Sequence, residues 1–381
     1  MQTLKGEPED LALPEKAEQS TADNCCRPVL NYTGRGFVFL YFRLLIEPMR
    51  IIVPMAGMGK RMRPHTLTVP KPLIPVAGKP IVQHLVEDIL SMCNQKVEEI
   101  AFVVGRFGAE AEKNLIAIAE NLGAKGTIHY QDEPLGTAHA ILCAESALKG
   151  PVVVAFADTL FYADFRLPDD CDGVIWVKQI EDPRQFGVVK VNADHVITDF
   201  VEKPKEYVSD LAIIGIYYLK DGENLRKELQ YLIDNNIRDK GEYQLTNALE
   251  NMKQKGMKLK AGTVDEWLDC GNKDATVYTN RRVLEIKYAG NHISASAKID
   301  NSVIVPPCYI GEDVVVENSV VGPYASVGKG SSIKSSLIRN SIIQNNSELN
   351  NAGLDNSLVG NYVHYHQQLR AISIGDYSTE A

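Results

Sequence analysis

A glycine-rich turn followed by clustered positive charge is the first feature of the sequence that could perform chemistry. The apolar run Ile51–Met55 leads into AGMG at 56–59, and three cations, Lys60, Arg61 and Arg63, follow within four positions. Glycine lets a backbone approach a phosphate closely, and exposed N–H groups in such a turn bind anions. The turn is not a Walker A loop, because Arg61 stands where Ser or Thr is required. By itself it predicts either phosphate binding or an ordinary strand-to-helix connection.

The apolar pattern indicates which elements must present this turn. Short β-branched runs alternate with helical patterns from residue 49 to about 285. Such alternation predicts an α/β fold with a Rossmann-like, mostly parallel sheet covered by helices. Ligands bind these sheets beyond the carboxyl ends of the strands, which is where the turn falls. We expect strands at Ile51–Met55, Ile100–Val104, Val152–Phe156 and Val174–Val177, and a helix at Ile81–Cys93.

The second half of the chain has a different period. From Ile299 to Val359, apolar residues recur every five or six positions, often with glycine or asparagine between them. A helix needs steps of three and four, and a flat strand needs steps of two. A step near six predicts a left-handed parallel β-helix of hexapeptide repeats, with the recurring residues pointing inward. We expect three to four coils; a disordered polar tail would not sustain the period.

These patterns divide the chain into three segments. Residues 1–48 are predicted to lie outside the fold, 49–288 to form the sheet domain, and 289–381 to form the β-helix and a tail. The leader is acidic and polar, unlike a signal peptide. Its one apolar run, at 36–46, is too short to span a membrane. We therefore expect Met49 to be the natural start.

The bulk composition excludes several classes of protein. The chain has 381 residues, 45% of them hydrophobic, and a formal net charge of −9. A nucleic-acid or acidic-membrane surface needs clustered positive charge, so neither partner is expected. The seven cysteines are scattered and form no CxxC pair, which indicates reduced thiols in a cytoplasmic protein.

A series of motifs after the first turn resembles the sugar-1-phosphate nucleotidyltransferases. Lys71 stands in VPKPLIPVAGKP, ten residues after Arg61. The later motifs, in order, are QDEPLGTA at 131–138, ADT at 157–159, FGVV at 186–189, VEKP at 201–204, GIY at 215–217, GEYQLT at 241–246 and WLDCG at 267–271. They cover residues 49 to about 285. The tail is similar to the end of long-form glucose-1-phosphate thymidylyltransferases at 340–343, 354–360 and 374–378.

The resemblance implies a reaction and a set of site residues. A phosphate oxygen of a sugar 1-phosphate attacks the α-phosphorus of a nucleoside triphosphate, and pyrophosphate leaves. Arg61 would grip the outer phosphates, Lys71 would lie beside the transferred phosphate, and Lys203 would hold the sugar phosphate. Asp158 and Asp269 would share a Mg²⁺ ion. The implied nucleotide contacts are Ala56, Gly57, Gly59, Gln131 and Gly136, and the implied sugar contacts are Gly187, Glu202, Lys203, Gly215 and Lys240.

Each of these residues also has a structural alternative. The three catalytic cations could be solvated surface charges, and Gln131 could be an edge-strand residue. Asp158 could cap a helix, and Asp269 could pair with a lysine. We interpret Lys60 and Arg63 as solvated side chains near Arg61 that add to the local positive electrostatic potential.

Three departures from the family pattern bear on the substrates. Lys60 replaces the usual threonine of the loop, Thr159 replaces the asparagine of a Gly-Asp-Asn motif, and Lys240 replaces an arginine. A lysine keeps the charge but loses the bidentate fork. The departures weaken any prediction of the sugar. We rank dTTP before UTP and GTP, with glucose 1-phosphate as the sugar.

Two other functions remain open on the sequence alone. One is a catalytically silent regulatory subunit of the same fold, although such a subunit has no chemical reason to keep both carboxylates and all three cations. The other is a second, acyltransferase activity in the β-helix, with His364 or His366 as general base. We expect the β-helix to serve oligomer contacts or regulation, and the protein to be a homo-oligomer.

Overall fold

The structure is a computed structural model that describes residues 47–93, 95–163, 170–288 and 290–379. The predicted leader therefore falls almost wholly outside the described residues, as do Cys25 and Cys26. The first strand begins at Met49, where the sequence predicts the fold to start. No helix among the described residues is long and apolar enough to cross a membrane.

The first domain is built from strands and helices in alternation. Its described helices are α1 Ile81–Met92, α2 Ala109–Asn121, α3 Thr137–Leu142, α4 Gly222–Asp234, α5 Leu245–Gln254 and α6 Lys273–Lys287. Its described strands are β1 Met49–Pro54, β2 Pro75–Val76, β3 Lys79–Pro80, β4 Val97–Val104, β5 Lys125–Tyr130, β6 Val152–Ala155, β7 Thr159–Tyr162, β8 Gly173–Gln179, β9 Gly187–Val191, β10 Ile197–Glu202, β11 Leu211–Leu219, β12 Leu259–Thr263 and β13 Glu266–Asp269.

Nine of these strands form one large sheet with the order β10-β9-β11-β6-β1-β4-β5, in which β8 also pairs with β11 and β12. The pairs β2–β3 and β7–β13 form separate two-stranded sheets. Four neighbouring strands of this sheet, β6, β1, β4 and β5, run parallel to one another, as the sequence predicts. Beyond β6 the sheet is mixed, because β11 runs antiparallel to β6, β8 and β9. The α/β class is confirmed, and the antiparallel half adds to it.

Apolar periodicity explains why the sheet is covered on both faces. In α1 the residues Val82, Leu85, Val86 and Ile89 are buried on one face, as their spacing predicts. The central strand β1 is buried on both faces, so it reads as a continuous apolar run without alternation. Two apolar clusters result, one on each side of the sheet.

The second domain is a parallel β-helix of fourteen short strands. They are β14 Asn291–Ile293, β15 Lys298–Asp300, β16 Val303–Ile304, β17 Cys308–Ile310, β18 Val315–Glu317, β19 Val320–Val321, β20 Ser326–Val327, β21 Ser332–Lys334, β22 Leu337–Ile338, β23 Ile342–Ile343, β24 Glu348–Asn350, β25 Gly353–Leu354, β26 Leu358–Val359 and β27 His364–His366. They stack into three parallel sheets of five, five and four strands, consistent with the predicted left-handed form. The domain therefore has between four and five coils, more than the three to four expected.

The recurring apolar residues fill the axis of the β-helix. Val316, Val327 and Ile338 are fully buried, whereas Ile299 in the first coil is 38% exposed. Serine ladders satisfy backbone groups at the corners: Ser302 Oγ accepts from the Ser319 amide seventeen residues on. The five- or six-residue period thus correctly predicted that these side chains point inward, except in the first coil.

The β-helix is joined to the first domain through a buried asparagine on α6. Asn280 Oδ1 accepts from the Ala77 amide at 2.9 Å and from Ser326 Oγ at 2.7 Å. Its Nδ2 donates to the Tyr324 carbonyl at 3.2 Å. A side-chain amide is suited to this junction because it donates and accepts at once. Three segments, the β2–β3 hairpin, α6 and the β-helix, therefore meet at one side chain.

Candidate active site

A cleft of about 410 Å³ opens beyond the carboxyl ends of the parallel strands β1, β5 and β6. This is the edge at which α/β sheets bind ligands. Its lining includes eight of the predicted site residues, which are Ala56, Gly57, Gly59, Arg61, Lys71, Gln131, Gly136 and Asp158.

The glycine-rich turn forms one wall of the cleft. Gly59 has φ +56, and a Cβ there would lie 3.0 Å from Lys71 Cβ and 3.1 Å from Thr66 Cγ2. Glycine is required for both reasons. Thr66 Oγ1 donates to the Gly59 carbonyl at 2.9 Å, which ties the turn to the segment that follows it.

Two cations of the turn face the cleft without a carboxylate partner. Lys60 and Arg61 both line it, and the described residues place no acidic side chain within ion-pairing distance of either. The interpretation of Lys60 as a solvated neighbour is therefore incomplete, because Lys60 also faces the cleft. Arg63 is exposed and is not among the lining residues, in agreement with its interpretation as a neighbour.

Lys71 and the two predicted metal ligands form a compact group. Lys71 Nζ lies 2.9 Å from Asp158 Oδ2, and the lysine side chain is only 12% exposed. Asp158 precedes β7, and Asp269 ends β13; these strands pair antiparallel, with Asp269 opposite Thr159. The Cys270 amide donates to the Asp158 carbonyl at 2.9 Å, which fixes the two aspartates side by side. Asp158 is therefore positioned by the antiparallel pairing of two strands that are distant in sequence, and it does not cap a helix.

The electrostatics of Asp269 suit a cation. Desolvation by the surrounding protein, followed by the nearby charge of Asp158, raises the pKa of Asp269, although Lys71 and the Gly271 amide oppose the shift. Two carboxylates brought together favour the binding of positive charge. A Cβ at Gly271 would lie 2.9 Å from both Asp269 carboxylate oxygens, so only glycine leaves this approach open.

The donor set fits a magnesium ion. Among the described residues no group of three or more His, Cys, Asp or Glu side chains could hold a metal. Mg²⁺ is commonly bound by one or two carboxylates, with phosphate and water oxygens supplying the other positions. Asp158 and Asp269 are the two carboxylates that this arrangement needs.

The opposite wall of the cleft carries Gln131 and Gly136. Gln131 Nε2 donates to the Gly136 carbonyl at 3.1 Å and lies 3.2 Å from His139 Nδ1. The Gly136 carbonyl can only accept, so it fixes the orientation of the amide. Gly136 has φ +120, and a Cβ there would lie 2.4 Å from the Tyr243 carbonyl oxygen. Gly136 therefore also permits the 241–246 segment to close against this wall.

The predicted sugar contacts gather in a second cluster outside the lining of the cleft. Lys240 Nζ donates to the Lys203 carbonyl at 2.7 Å and to the Glu202 carbonyl at 3.2 Å. Lys203 Nζ lies 3.6 Å from Glu202 Oε1, and Gly187 pairs with Glu202 across β9 and β10. Gly215 stands apart from these residues and accepts from the Phe156 amide at 3.0 Å.

Two features connect this cluster to the rest of the site. Phe186, which precedes Gly187, packs edge-on against Trp267 with ring centroids 4.9 Å apart. Trp267 lies two residues before Asp269 on β13, and residues of a strand two apart share a face. The sugar-side cluster is thus adjacent to the aspartates.

Sequence reasoning missed several residues that line the cleft. Besides Lys60, they are Pro134, Thr137, Phe156 and Glu242. Pro134, Thr137 and Glu242 stand inside the motifs named above, so the motifs contained a signal for them. Cys270, by contrast, is fully buried, and burial raises its pKa to about 12, so it is not a nucleophile.

Comparison with known proteins shows the family to which the first domain belongs. A family model for nucleotidyl transferases matches residues 51–285. The chain belongs to the nucleotidyl transferase family. The match covers the first domain and confirms the family that the motifs predict.

Two relatives extend the comparison to the second domain. A bifunctional protein GlmU of Methanococcus maripaludis is 31% identical over 286 residues, which are 72% of this chain and 62% of that protein. This nucleotidyl transferase therefore spans less than two thirds of that relative. A glucose-1-phosphate thymidylyltransferase of Streptomyces antibioticus is 27% identical over 362 residues, which are 87% of this chain and 98% of that protein.

A solved structure supports the fold of the nucleotidyl transferase domain. The structure of a UDP-glucose pyrophosphorylase complexed with UDP-glucose superposes with a TM-score of 0.51 at 23% identity. The superposition covers 63% of this chain and 99% of that one. At this identity the likeness shows the fold alone.

Proposed function

We propose that the protein is a sugar-1-phosphate nucleotidyltransferase, which forms a nucleoside diphosphate sugar and pyrophosphate. The observation that carries the proposal is the convergence of unpaired cations and paired carboxylates at one cleft. Lys60 and Arg61 line it without carboxylate partners, and Lys71 reaches Asp158 beside Asp269. A triphosphate needs such cations, and a phosphate-bound divalent ion needs such carboxylates.

The residues divide the work of the reaction between them. A phosphate oxygen of the sugar 1-phosphate forms a bond to the α-phosphorus, and the bond to the bridging oxygen of the leaving pyrophosphate breaks. Arg61 and Lys60 hold the outer phosphates and offset the charge that develops on the pyrophosphate. Lys71 lies beside the transferred phosphate. A bound Mg²⁺ would supply further charge neutralisation at Asp158 and Asp269.

No proton has to be removed from the nucleophile. The attacking phosphate oxygen is already ionised near neutral pH, so the site needs no general base. Orientation of two anions in line is the main requirement, and such positioning contributes several kcal/mol, on the order of 7–11 in favourable cases. Lys203, from the sugar-side cluster, would hold the sugar phosphate for the attack. Lys240 donates to the carbonyls of residues 202 and 203 and would fix that segment.

The orientation of Gln131 bears on the choice of base. Its amide nitrogen is used by the Gly136 carbonyl, and among the described residues its amide oxygen has no hydrogen-bond partner. An oxygen aimed at the base accepts from the ring N–H of thymine, uracil or guanine. The corresponding ring nitrogen of adenine or cytosine carries a lone pair and cannot make this hydrogen bond. We therefore infer that dTTP, UTP and GTP are accepted in preference to ATP and CTP.

Within this set we place dTTP and glucose 1-phosphate first. The support is the match to the Streptomyces antibioticus thymidylyltransferase over nearly the whole of that protein. A UTP- or GTP-dependent reaction is the alternative. A silent regulatory subunit of the same fold is a further alternative, disfavoured because both aspartates and the cations are kept in one geometry.

The decisive experiment measures pyrophosphate release over a grid of five nucleotides and four sugar 1-phosphates with Mg²⁺. The nucleotides are dTTP, UTP, GTP, ATP and CTP, and the sugars are glucose, mannose, galactose and N-acetylglucosamine 1-phosphates. We expect one strong pairing that Asp158→Ala abolishes. Asp234→Ala, at an exposed carboxylate on α4, is the control and should retain activity. Nucleotide binding without turnover anywhere in the grid would favour the silent subunit.

A further inference from the structure

Helix α6 lies along one column of corners of the β-helix. Near its middle, Asn280 contacts Tyr324, and at its first turn Asp274 contacts Asn356. Asn280 and Asp274 are six residues apart, a rise of about 9 Å along a helix. Tyr324 and Asn356 are two coils apart, a distance of about 9.6 Å at the usual strand spacing. The spacing along α6 and the spacing along the β-helix are therefore nearly equal. For this reason α6 contacts the same column of corners at both coils.

The last of these contacts lies next to the metal ligands. Asn356 Nδ2 donates to Asp274 Oδ1 at 2.9 Å, and Lys273 Nζ donates to the Asn356 carbonyl at 2.9 Å. Lys273 opens α6 directly after the segment Asp269–Asn272. The corner at Asn356 thus secures the end of the helix that continues the chain from Asp269.

The same coil passes close to the segment that follows the glycine-rich turn. A Cβ placed on Gly360 would lie 3.7 Å from His65 Nδ1, so the coil passes close to the segment that follows the turn. Thr66, next to His65, donates to the Gly59 carbonyl. Leu358 packs against the apolar cluster that contains Met62, the neighbour of Arg61. Residues 356–360 therefore lie near the segment that follows the turn and hydrogen-bond to the start of α6, which continues the chain from Asp269.

We propose that the coil segment 356–360 positions the triphosphate end of the active site, with Asn356 as a positioning residue that acts through Asp274. The inference rests on the proposed function. The sugar-side cluster at Lys203 and Lys240 makes no hydrogen bond to this coil among the described residues. The coil therefore controls nucleotide binding and leaves binding of the sugar phosphate unchanged.

The test replaces an uncharged partner of Asp274 by a charged one. Asn356→Asp sets a second carboxylate against Asp274, which also pairs with Lys273. Asn351→Asp is the matched control, because Asn351 is another corner of the β-helix with positive φ, 54° against 45° at Asn356. The structure gives the Asn351 side chain no hydrogen bond among the described residues. Both substitutions keep the size of the side chain and add one negative charge.

We expect Asn356→Asp to weaken nucleotide binding roughly threefold to fivefold, the scale of one exposed electrostatic pair. The readouts are the Kd for the Mg²⁺ complex of whichever nucleotide the wild type binds tightest among dTTP, UTP and GTP, and the KM for each substrate. Asn351→Asp should match the wild type, and the KM for the sugar phosphate should not move. Adding Asp274→Asn to Asn356→Asp restores an amide–carboxylate pair and should recover nucleotide binding.

Three results would overturn the inference. They are equal Kd values for the two single variants, a lowered Tm with unchanged nucleotide binding, and an equal rise in both KM values. The Kd measurement does not need turnover. A failure of the coil inference can therefore be told apart from a failure of the proposed reaction, which the wild-type substrate grid tests alone.

Discussion

Single residues of this site differ most in whether their charge is already paired. Lys71 is held by Asp158 at 2.9 Å and is largely shielded from solvent. Lys60 and Arg61 face the same cleft with no carboxylate of the described chain beside them. Unpaired cations at a concave surface attract anions, and the attraction is stronger there than on an open surface. The pairing pattern separates Lys60 and Arg61, which we propose bind the triphosphate, from Lys71, which is paired with Asp158.

Removal of these cations should have graded effects. We expect Arg61→Ala to lower kcat/KM by about 10²- to 10³-fold, because a planar guanidinium grips two phosphate oxygens at once and stabilises the leaving group. Lys60→Ala should raise the KM for the nucleotide about tenfold or less, since a lysine acts as a point charge. Steady-state kinetics in both substrates measures the two effects.

Arg63→Ala provides the control for this series. Arg63 belongs to the same turn, but it is exposed and does not line the cleft. Its substitution should change kcat/KM by no more than about twofold. A loss at Arg63 as large as that at Arg61 would mean that the turn acts through its total charge and not through contacts in the cleft.

At the residue level the sequence singled out Asp158 and Asp269 but not the pairing that places them side by side. Asp158 and Asp269 lie in separate motifs, and the antiparallel pairing of β7 and β13 brings them together. The position of Lys60 could not be predicted, because the direction of a side chain in a short 3₁₀ turn has no periodic signal. Local motifs thus identify residues, whereas their mutual placement depends on long-range pairing.

At the scale of secondary-structure elements, too, the sequence predicted the elements better than their arrangement. The strands β1, β4 and β6 and the helix α1 were predicted within a few residues, because their apolar runs are long and regular. The antiparallel direction of β11 was not predicted. An apolar run does not record the direction of its neighbours, and the connection from β6 to β11 passes through several short strands.

Helix α1 carries a buried group that the apolar pattern does not explain. His84 is fully buried; its Nε2 lies 2.8 Å from the Val76 carbonyl and its Nδ1 lies 3.4 Å from Lys287 Nζ. Burial, with a smaller contribution from Lys287, lowers the pKa of His84 to about 4. The ring is therefore neutral in the folded protein, donating to the carbonyl through Nε2.

This shift predicts a pH dependence of stability. An unfolded histidine has a pKa near 6.5, so the unfolded chain binds more protons than the folded chain between pH 6.5 and about 4. The contribution of His84 is fully present above pH 6.5 and is lost as the pH falls toward 4. It amounts to about 3 kcal/mol, at about 1.4 kcal/mol for each unit of pKa. Denaturant unfolding at a series of pH values measures it.

The control is a variant that cannot titrate. His84→Gln keeps a donor for the Val76 carbonyl and an acceptor for Lys287, while the neighbouring groups Lys79, Glu87, Asp88 and Lys287 stay in place. We expect it to flatten the slope of unfolding free energy against pH between 4 and 6.5. An unchanged slope would assign the pH dependence to the neighbouring carboxylates.

On the scale of the whole molecule, the β-helix was the part of the fold that the sequence predicted best. Its contacts with the first domain were the part that the sequence predicted least well. The period of five or six residues predicted the inward side chains from Ile304 to Val359. The coil count was underestimated because the first and last strands, Asn291–Ile293 and His364–His366, are exposed and lie outside the apolar series. The contact surface with the first domain uses residues such as Tyr309 and Asn280, whose types do not distinguish an interface from a core or a turn.

The junction at Asn280 predicts how the two domains unfold. The side chain is fully buried and satisfies one backbone donor on the β2–β3 hairpin, and one hydroxyl and one carbonyl on the β-helix. Asn280→Ala leaves these groups unpaired, at a cost of about 3 kcal/mol or more. We expect the loss to uncouple the β-helix from the first domain. Asn114→Ala, at an exposed position of α2, is the control and should be nearly neutral.

Two probes can separate the domains in this experiment. Both tryptophans of the chain, Trp176 and Trp267, lie in the first domain, so fluorescence follows that domain alone, whereas far-ultraviolet circular dichroism follows both. Thermal unfolding of the wild type should give coincident curves because the domains share one buried junction. For Asn280→Ala the two curves should diverge. Coincident curves at a lowered Tm would instead mean that the apolar contacts of Tyr309, Tyr324 and Leu358 couple the domains without the asparagine.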